Sequence, residues 1–213
     1  MSRNETDDEQ VEAIKQWWQK NGTQLLSGIL VVVLAWSGWT YWQNTQLNKG
    51  LKASAMFEML QIRQQQGSFG EAMREGLTLM EEQPDSPYST GIALMVAKHY
   101  FENGKFDLAV ENYQWVIDHA PDASLKFIAQ SRLLTLYSDQ QSFDKAQQVL
   151  ATINEARLSD AEKANLAFYQ AELAFNQGDL TAAKAGYQSV VDNQAAVDAV
   201  QNMASIKLAD LAE

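Results

Sequence analysis

A long stretch without charge is the feature that most constrains how this chain folds. No residue between Lys20 and Lys49 is charged, and residues 25–42 are strongly apolar. An α-helix rises about 1.5 Å per residue, so about 20 such residues cross a hydrocarbon core roughly 30 Å thick. Aromatic residues favour membrane interfaces, and both ends of the stretch carry them: Trp17, Trp18, Trp36, Trp39, Tyr41 and Trp42. The stretch therefore predicts a transmembrane helix over residues 23–43, in contact with the lipid bilayer.

Two other interpretations of the apolar stretch are a buried core helix and a cleaved signal peptide. Core helices rarely run this long without a charge. A signal peptide begins with a basic region and ends in small residues, whereas this leading region contains Glu5 and Asp7, and aromatic residues close the apolar run. A small-x-small site begins at Ala53 but lies too far downstream. We therefore expect a retained anchor between an acidic segment, residues 1–22, and a domain, residues 44–213.

Small residues of the predicted span fall close to one helical face. Gly28, Ala35 and Gly38 share this face, and small residues let a second helix approach closely within a membrane. We expect the face to pack against a transmembrane helix of a partner. The orientation of the span stays open, because Lys15 and Lys20 flank it on one side and Lys49 and Lys52 on the other, so the positive-inside rule gives no clear preference.

The composition and motifs disfavour several functions. The net charge is −11, and nucleic-acid binding requires a basic surface that displaces counterions from phosphates, so no nucleic-acid partner is expected. There is no cysteine, which removes disulfides, thiol catalysis and zinc–thiolate sites. His99 and His119 have no companions at ligand spacing, and no phosphate-binding loop or hydrolase motif occurs. We expect no catalytic activity, no metal site and no cofactor.

A repeat of 37 residues follows the apolar stretch. Ala72, Ala109, Ala146 and Ala183 are spaced 37 residues apart. Three residues before each alanine lies a large apolar residue, and five before it lies glycine or, once, glutamine. These positions are Phe69, Phe106, Phe143 and Leu180, and Gly67, Gly104, Gln141 and Gly178. Apolar residues also recur four and seven positions after the alanines, apart from Gly76. Periods of this length are typical of arrays of helix pairs.

Each repeated position has a mechanical role in a helix hairpin. Alanine is small where two helices cross, glycine can adopt the left-handed conformation that ends a helix, and Pro84 and Pro121 can close the second helix. Ser86 before Pro87 is a helix-start signal, and Ser159 with Glu162 forms a capping-box pattern. The predicted helices span about 12–66, 70–82, 87–103, 106–119, 124–140, 143–154, 160–177, 180–192 and 196–211. The last is a capping helix after repeats at about 53–85, 88–122, 124–158 and 160–194.

The pattern of Ala109, Tyr113 and Pro121 resembles the tetratricopeptide (TPR) hairpin, although the usual TPR period is 34. The predicted fold is therefore all-α: an N-terminal transmembrane helix followed by a TPR-like solenoid of helix hairpins. Such stacks present a concave surface lined mainly by the first helix of each repeat. The resemblance implies a partner-binding groove formed by Phe57, Lys98, Phe101, Glu102, Thr135, Asp139, Phe168, Glu172, Phe175 and Asn176. The alternatives are a generic helical bundle and, for each phenylalanine, a place in the core.

The block DEQVEAIKQWWQKNG, residues 8–22, lies directly before the apolar stretch. This block, one anchor and a C-terminal TPR-like domain together resemble the YfgM family, the ancillary subunits of the SecYEG translocon. The resemblance implies a single-pass protein of the bacterial inner membrane with a cytoplasmic N-terminus and a periplasmic domain. It also implies two partners, the SecYEG translocon and a membrane-anchored periplasmic chaperone of the PpiD type, and a role in passing exported chains to periplasmic chaperones.

Two competing hypotheses remain. The first is a membrane-tethered TPR scaffold or regulator of envelope assembly or division, with no role at the translocon. The second gives the acidic segment 1–22 a cytoplasmic partner of its own.

Alkaline carbonate extraction of membranes tests the retained anchor. We expect the protein to stay in the membrane pellet and to retain Trp36, because about 18 apolar residues with aromatic ends stabilise insertion. A mature chain that begins at Met56 would show instead that cleavage occurs after Ala55.

Overall fold

The computed structural model describes the backbone of residues 4–211 and the side chains of residues 11, 12 and 14–211. Two compact units divide the chain, Met1–Lys52 and Ala53–Glu213. All regular structure in the described residues is helical, which confirms the all-α prediction. The α-helices are α1 (Asn4–Gln65), α2 (Phe69–Glu82), α3 (Pro87–Glu102), α4 (Phe106–His119), α5 (Ala123–Asp139), α6 (Phe143–Ala151), α7 (Asp160–Asn176), α8 (Leu180–Val191) and α9 (Asp198–Asp210).

The first unit belongs to α1 and carries the apolar stretch. Every side chain over residues 23–44 is exposed, including Trp36 at 73% and Tyr41 at 76% of their maximal accessible surface. Among the described residues, one helix segment is long and apolar enough to cross a membrane, Ile14–Gln65. None of its most apolar part is buried. The side chains of residues 5–9, which include acidic residues of the predicted N-terminal segment, lie outside the described residues.

The four predicted hairpins, all within the second unit, reverse the chain by the same turn. After α3, the Gly104 N–H donates to the Phe101 carbonyl at 3.0 Å, and the Lys105 N–H donates to the Tyr100 carbonyl at 2.8 Å. This pair of bonds is the Schellman motif, which needs a left-handed residue just past the helix. Equivalent bonds close the other three turns. The left-handed residues are Gly67, Gly104, Gln141 and Gly178, with φ of 72°, 68°, 56° and 83°.

The repeated alanines are buried, as the hairpin interpretation requires. Ala109, Ala146 and Ala183 are fully buried, and Ala72 is 7% exposed. Close helix approach is measurable beside Ala183, because a Cβ built on Gly186 of α8 would lie 2.7 Å from the Cβ of Ala171 on α7. Helix pairs α3–α4 and α7–α8 pack more extensively than α5–α6.

Gly76, the exception in the repeat pattern, fits the first hairpin by a different packing. Its equivalents in other repeats include Tyr113 and Tyr187, which fill this space with a ring. At Gly76 the methyl groups of Leu60 and Ile92 fill it instead, each 2.8 Å from where a Cβ would lie. The hairpin register therefore continues through this repeat without a large side chain at the position.

The largest difference from the predicted helices within the second unit is at α6. We expected it to extend to about residue 154, but it ends at Ala151, and a 3₁₀ helix follows over Glu155–Arg157. The Thr152 hydroxyl donates to the Val149 carbonyl at 2.6 Å, and the Asn154 side chain accepts from the Ala156 N–H at 3.2 Å. Such local bonds compete with helical ones, so α6 stops early. The capping box predicted at Ser159 and Glu162 is confirmed at the start of α7.

The turn after α5 predicts a stabilising substitution. Among the described residues, Gln141 is the non-glycine residue with positive φ. The left-handed conformation costs a residue with a Cβ about 1–2 kcal/mol. A glycine avoids this cost, but its greater conformational entropy in the unfolded state offsets part of the gain. We expect Gln141→Gly to raise the free energy of unfolding by about 0.5–1 kcal/mol. Thermal melting of the full chain measures the gain.

The matched control is Gly104→Gln, because nothing lies within 4 Å of a Cβ at Gly104 and only backbone strain changes. It should lower the melting temperature by a comparable amount. A destabilised Gln141→Gly variant would mean that the glutamine side chain stabilises this turn by other contacts.

Candidate protein-binding groove

The first helices of successive hairpins line two adjoining cavities. The first cavity has a volume of about 580 Å³ and the second about 100 Å³. Thr135 of α5 lines both, so the two form one groove along α5. The first cavity is lined by Gln64, Leu94, Met95, Lys98, Phe101, Glu102, Tyr113, Ile128, Arg132, Thr135 and Leu136. The second is lined by Leu134, Thr135, Ser138, Asp139, Phe168, Tyr169, Glu172 and Asn176.

The first cavity combines an apolar wall with charged groups at its edge. Phe101 remains 38% exposed and stacks edge-on against Phe106, with ring centroids 5.6 Å apart. Lys98 pairs with Glu102 one helical turn away, at 3.6 Å, and both side chains are more than half exposed. An exposed pair of this kind adds little stability, so both groups stay available to an incoming partner.

The second cavity is smaller and bounded by polar side chains. The Asn176 amide donates to the Ser138 hydroxyl at 2.8 Å and so links α7 to α5. Asp139 is exposed at the end of α5. Phe168 touches this cavity, but only 8% of it is exposed, and it packs against Tyr187 at a centroid distance of 5.8 Å. Phe168 is therefore mainly a core residue.

Glu172 lies at the centre of a polar network that joins α7, α8 and α9. Its carboxylate accepts from the Tyr187 hydroxyl at 2.5 Å and from Lys207 Nζ at 3.2 Å. Lys207 also lies over the Phe175 ring, 5.2 Å from its centroid. Burial, with the hydrogen bond to Glu172 and its negative charge, raises the pKa of the Tyr187 hydroxyl. Glu172 and Phe175 thus contact helix α9, and Glu172 also lines the second cavity.

Phe57, the remaining predicted groove residue, lines neither cavity. It is half-buried and packs against Tyr88, with ring centroids 6.1 Å apart. Its Cε2 lies 2.7 Å from where a Cβ on Gly91 would be, so the ring fills the space that this glycine leaves on α3. The structure therefore brings together Lys98, Phe101, Glu102, Thr135, Asp139, Phe168, Glu172 and Asn176, and it places Phe57 and Phe175 outside the two cavities.

Several cavity residues were missed from the sequence, notably Leu94, Ile128 and Arg132. Helical spacing contains the signal for them. Leu94 lies seven residues before Phe101, while Ile128 and Arg132 lie seven and three residues before Thr135. Residues at such spacings share one face of a helix. Tyr113 has a different place in the sequence pattern, because it lies four residues after Ala109 on the second helix of its hairpin. It lines the cavity from α4, whereas most of the lining residues belong to α3 and α5.

Comparison with known proteins agrees with this architecture. The tetratricopeptide repeat-like domain family matches residues 15–213, which is nearly the whole chain. The chain belongs to this family. The match includes the whole apolar stretch as well as all four hairpins. No solved structure matches the chain at a significant level.

Curated relatives align along almost the full length, and several carry the name ancillary SecYEG translocon subunit. The protein of Aggregatibacter actinomycetemcomitans is 26% identical over 96% of this chain and 97% of its own. That of Haemophilus influenzae is 24% identical with the same coverage, and that of Escherichia coli is 23% identical over 97% of both chains. The resemblance to the YfgM family that the N-terminal block indicated is thereby confirmed.

The different surroundings of the phenylalanines predict different losses of stability. Phe168→Ala should cost about 3–5 kcal/mol, because it leaves a cavity in the core. Phe101→Ala should cost less than about 2 kcal/mol, since its ring remains 38% exposed. Thermal melting of the two full-length variants, side by side, measures the difference. Equal losses would mean that Phe101 is also a core residue and contributes no free surface to the groove.

Proposed function

We propose that this chain is a non-catalytic, membrane-anchored docking subunit that associates with the SecYEG translocon. Residues 23–43 would anchor it in the bacterial inner membrane, with the N-terminal segment in the cytoplasm and the repeat domain, residues 44–213, in the periplasm. The repeat domain would hold a membrane-anchored periplasmic chaperone of the PpiD type and so help to pass exported chains to periplasmic chaperones.

The observation that carries this proposal is the pairing of an exposed apolar helix with a grooved repeat domain. Every side chain over residues 23–44 is exposed, which suits a helix surrounded by lipid. Relatives named as translocon subunits align with 96–97% of the chain, so both parts have counterparts in them. A tether and a protein-binding surface in one chain support docking beside a membrane complex.

The groove supports the soluble-side interaction. Phe101 offers an exposed aromatic ring beside a cavity of about 580 Å³, and buried aromatic anchors contribute much of the energy of protein interfaces. Lys98, Glu102 and Asp139 are exposed around it, and such charges act more on the orientation and rate of binding than on affinity.

The span supports a second interaction, within the membrane. A Cβ added at Gly28 or Gly38 would meet no atom within 4 Å, so both positions are open to another helix. With Ala35 they form the small-residue face on which a partner's transmembrane helix could pack closely. The proposal therefore assigns the integral membrane partner to this face and the periplasmic partner to the groove.

Site-specific photo-crosslinking in living cells tests the proposal. A photo-reactive amino acid at Ala35 should capture translocon subunits, and one at Phe101 should capture a chaperone or an exported chain. Glu111, exposed on α4 and outside both cavities, is the matched control and should capture neither. Capture of envelope-assembly or division proteins alone, with no translocon subunit from any position, would favour the scaffold hypothesis and contradict the proposal.

A further inference from the structure

We propose that the first cavity recognises an acidic side chain next to a large apolar residue in the bound protein segment, with Arg132 and Tyr113 holding the carboxylate. This inference rests on the proposed use of the groove and specifies the chemistry of the segment that it holds.

Arg132 is the charged residue of the cavity that has no salt-bridge partner among the described residues. The two other charged residues that line it, Lys98 and Glu102, pair with each other. Among the described residues, Arg132 forms no salt bridge, although it is exposed and lines the cavity. The chain as a whole carries a net charge of −11, so a guanidinium without a salt bridge in this cavity is a local exception. A guanidinium is the side chain best matched to a carboxylate, because its planar fork can donate two parallel hydrogen bonds.

Tyr113 supplies a second polar group to the cavity. The residue is only 5% exposed, but its hydroxyl, which makes no hydrogen bond within the described part of the chain, is not fully buried and is open to the cavity. The charges of Arg132 and Glu102 both act on this hydroxyl, while burial raises its pKa, so it remains a protonated donor that faces the charged edge of the cavity. A carboxylate held by Arg132 would give this hydroxyl an acceptor.

The apolar lining indicates what accompanies the carboxylate. Leu94, Met95, Phe101 and Ile128 line the same cavity as Arg132. A volume of about 580 Å³ lies within the range of ligand-sized sites and accommodates a leucine or phenylalanine side chain with room for the backbone beside it. Methionine adapts to side chains of different shape, so the site would select for size and apolar character rather than for one residue.

The position of Arg132 favours an internal acidic side chain over a chain terminus. Arg132 belongs to α5, and the groove continues from it in two directions, towards Leu94 on α3 and towards Asn176 on α7. Asp139 lies seven residues further along α5, which is about 10 Å at 1.5 Å per residue. A segment that runs along α5 therefore passes Arg132 and reaches an acidic group of the protein, where a basic residue of the segment would be favoured.

Peptide binding to the full chain in lipid nanodiscs tests this inference. The probes are fluorescent 12-residue glycine–serine peptides with an amidated C-terminus and a central Glu-Phe, Gln-Phe or Glu-Ser pair. A fourth peptide has no acidic side chain and ends in phenylalanine with a free carboxylate. Fluorescence anisotropy measures the affinities. We expect the Glu-Phe peptide to bind about tenfold or more tightly than the Gln-Phe and Glu-Ser peptides, because a charge-assisted hydrogen bond is among the stronger kinds.

Arg132→Gln should remove the preference for Glu-Phe over Gln-Phe without lowering the melting temperature. Tyr113→Phe keeps the buried ring and should reduce the same preference a fewfold. The matched control is Arg74→Gln, which removes one positive charge from an exposed position of α2 outside both cavities and should leave the preference unchanged.

Three results would overturn the inference. The first is equal binding of Glu-Phe and Gln-Phe peptides, or no binding of either at millimolar concentration. The second is an unchanged preference in Arg132→Gln. The third is tighter binding of the free-carboxylate peptide than of the Glu-Phe peptide, which would assign the cavity to a chain terminus. Crosslinking from Phe101 would still succeed in each case if the groove binds proteins by other chemistry, so the two proposals fail separately.

Discussion

The close approach of paired helices in each hairpin is the constraint on which the rest of the structure depends. It requires a small residue at the crossing, which Ala109, Ala146 and Ala183 provide with no exposed surface. It also requires a chain reversal of fixed geometry just before the second helix, which the four left-handed turns provide. Because both requirements recur at an interval of 37 residues, the hairpins form an array, and the first helices α3, α5 and α7 line the groove. The stacking is not uniform, because α4 packs on α5 but the third hairpin meets the fourth through α5 and α7. The first helix of each hairpin packs on its second helix with one face and lines the groove with the other, so the hairpin packing determines where the groove lies.

Where the array ends, packing has to be completed by other means. Helix α9 packs on α8 and α7 after the fourth hairpin, the place where a solenoid carries a capping element. Here Lys207 reaches back from α9 to the carboxylate of Glu172, which also accepts from Tyr187. A residue that the TPR resemblance assigns to the groove therefore has a structural partner on the terminal helix. The groove is consequently most open towards α3 and α5, where the larger cavity lies.

Much of this architecture could be predicted from the sequence, because the repeat imposes the same local chemistry four times. The turns at Gly67, Gly104 and Gly178 follow from glycine in a fixed register, and even Gln141 adopts the left-handed conformation because the hairpin around it demands one. The early end of α6 could not be predicted from periodicity, since it depends on hydrogen bonds of Thr152, one of them with Gln130 on α5. The cavity residue Arg132 was missed because its helical spacing from Thr135 marks a shared face but does not show that this face lines a cavity, which depends on the neighbouring helices. Phe57 and Phe168 were predicted in the groove but serve mainly in packing. Phe57 fills the space beside Gly91, and Phe168 packs on Tyr187. Their position in the repeat alone does not distinguish a ring that binds a partner from one that fills the core.

The hairpin crossing itself is tested most directly by adding volume at one alanine. Ala146 is fully buried between Leu134 of α5 and Leu173 of α7. Ala146→Trp should therefore destabilise the full chain by about 1–3 kcal/mol or more through overpacking, seen as a lower melting temperature by circular dichroism in nanodiscs. Ala151→Trp, at the exposed end of the same helix, should melt like the parent chain. A neutral Ala146→Trp would contradict the account, because it would mean that the two helices of this hairpin do not meet at the repeated alanine.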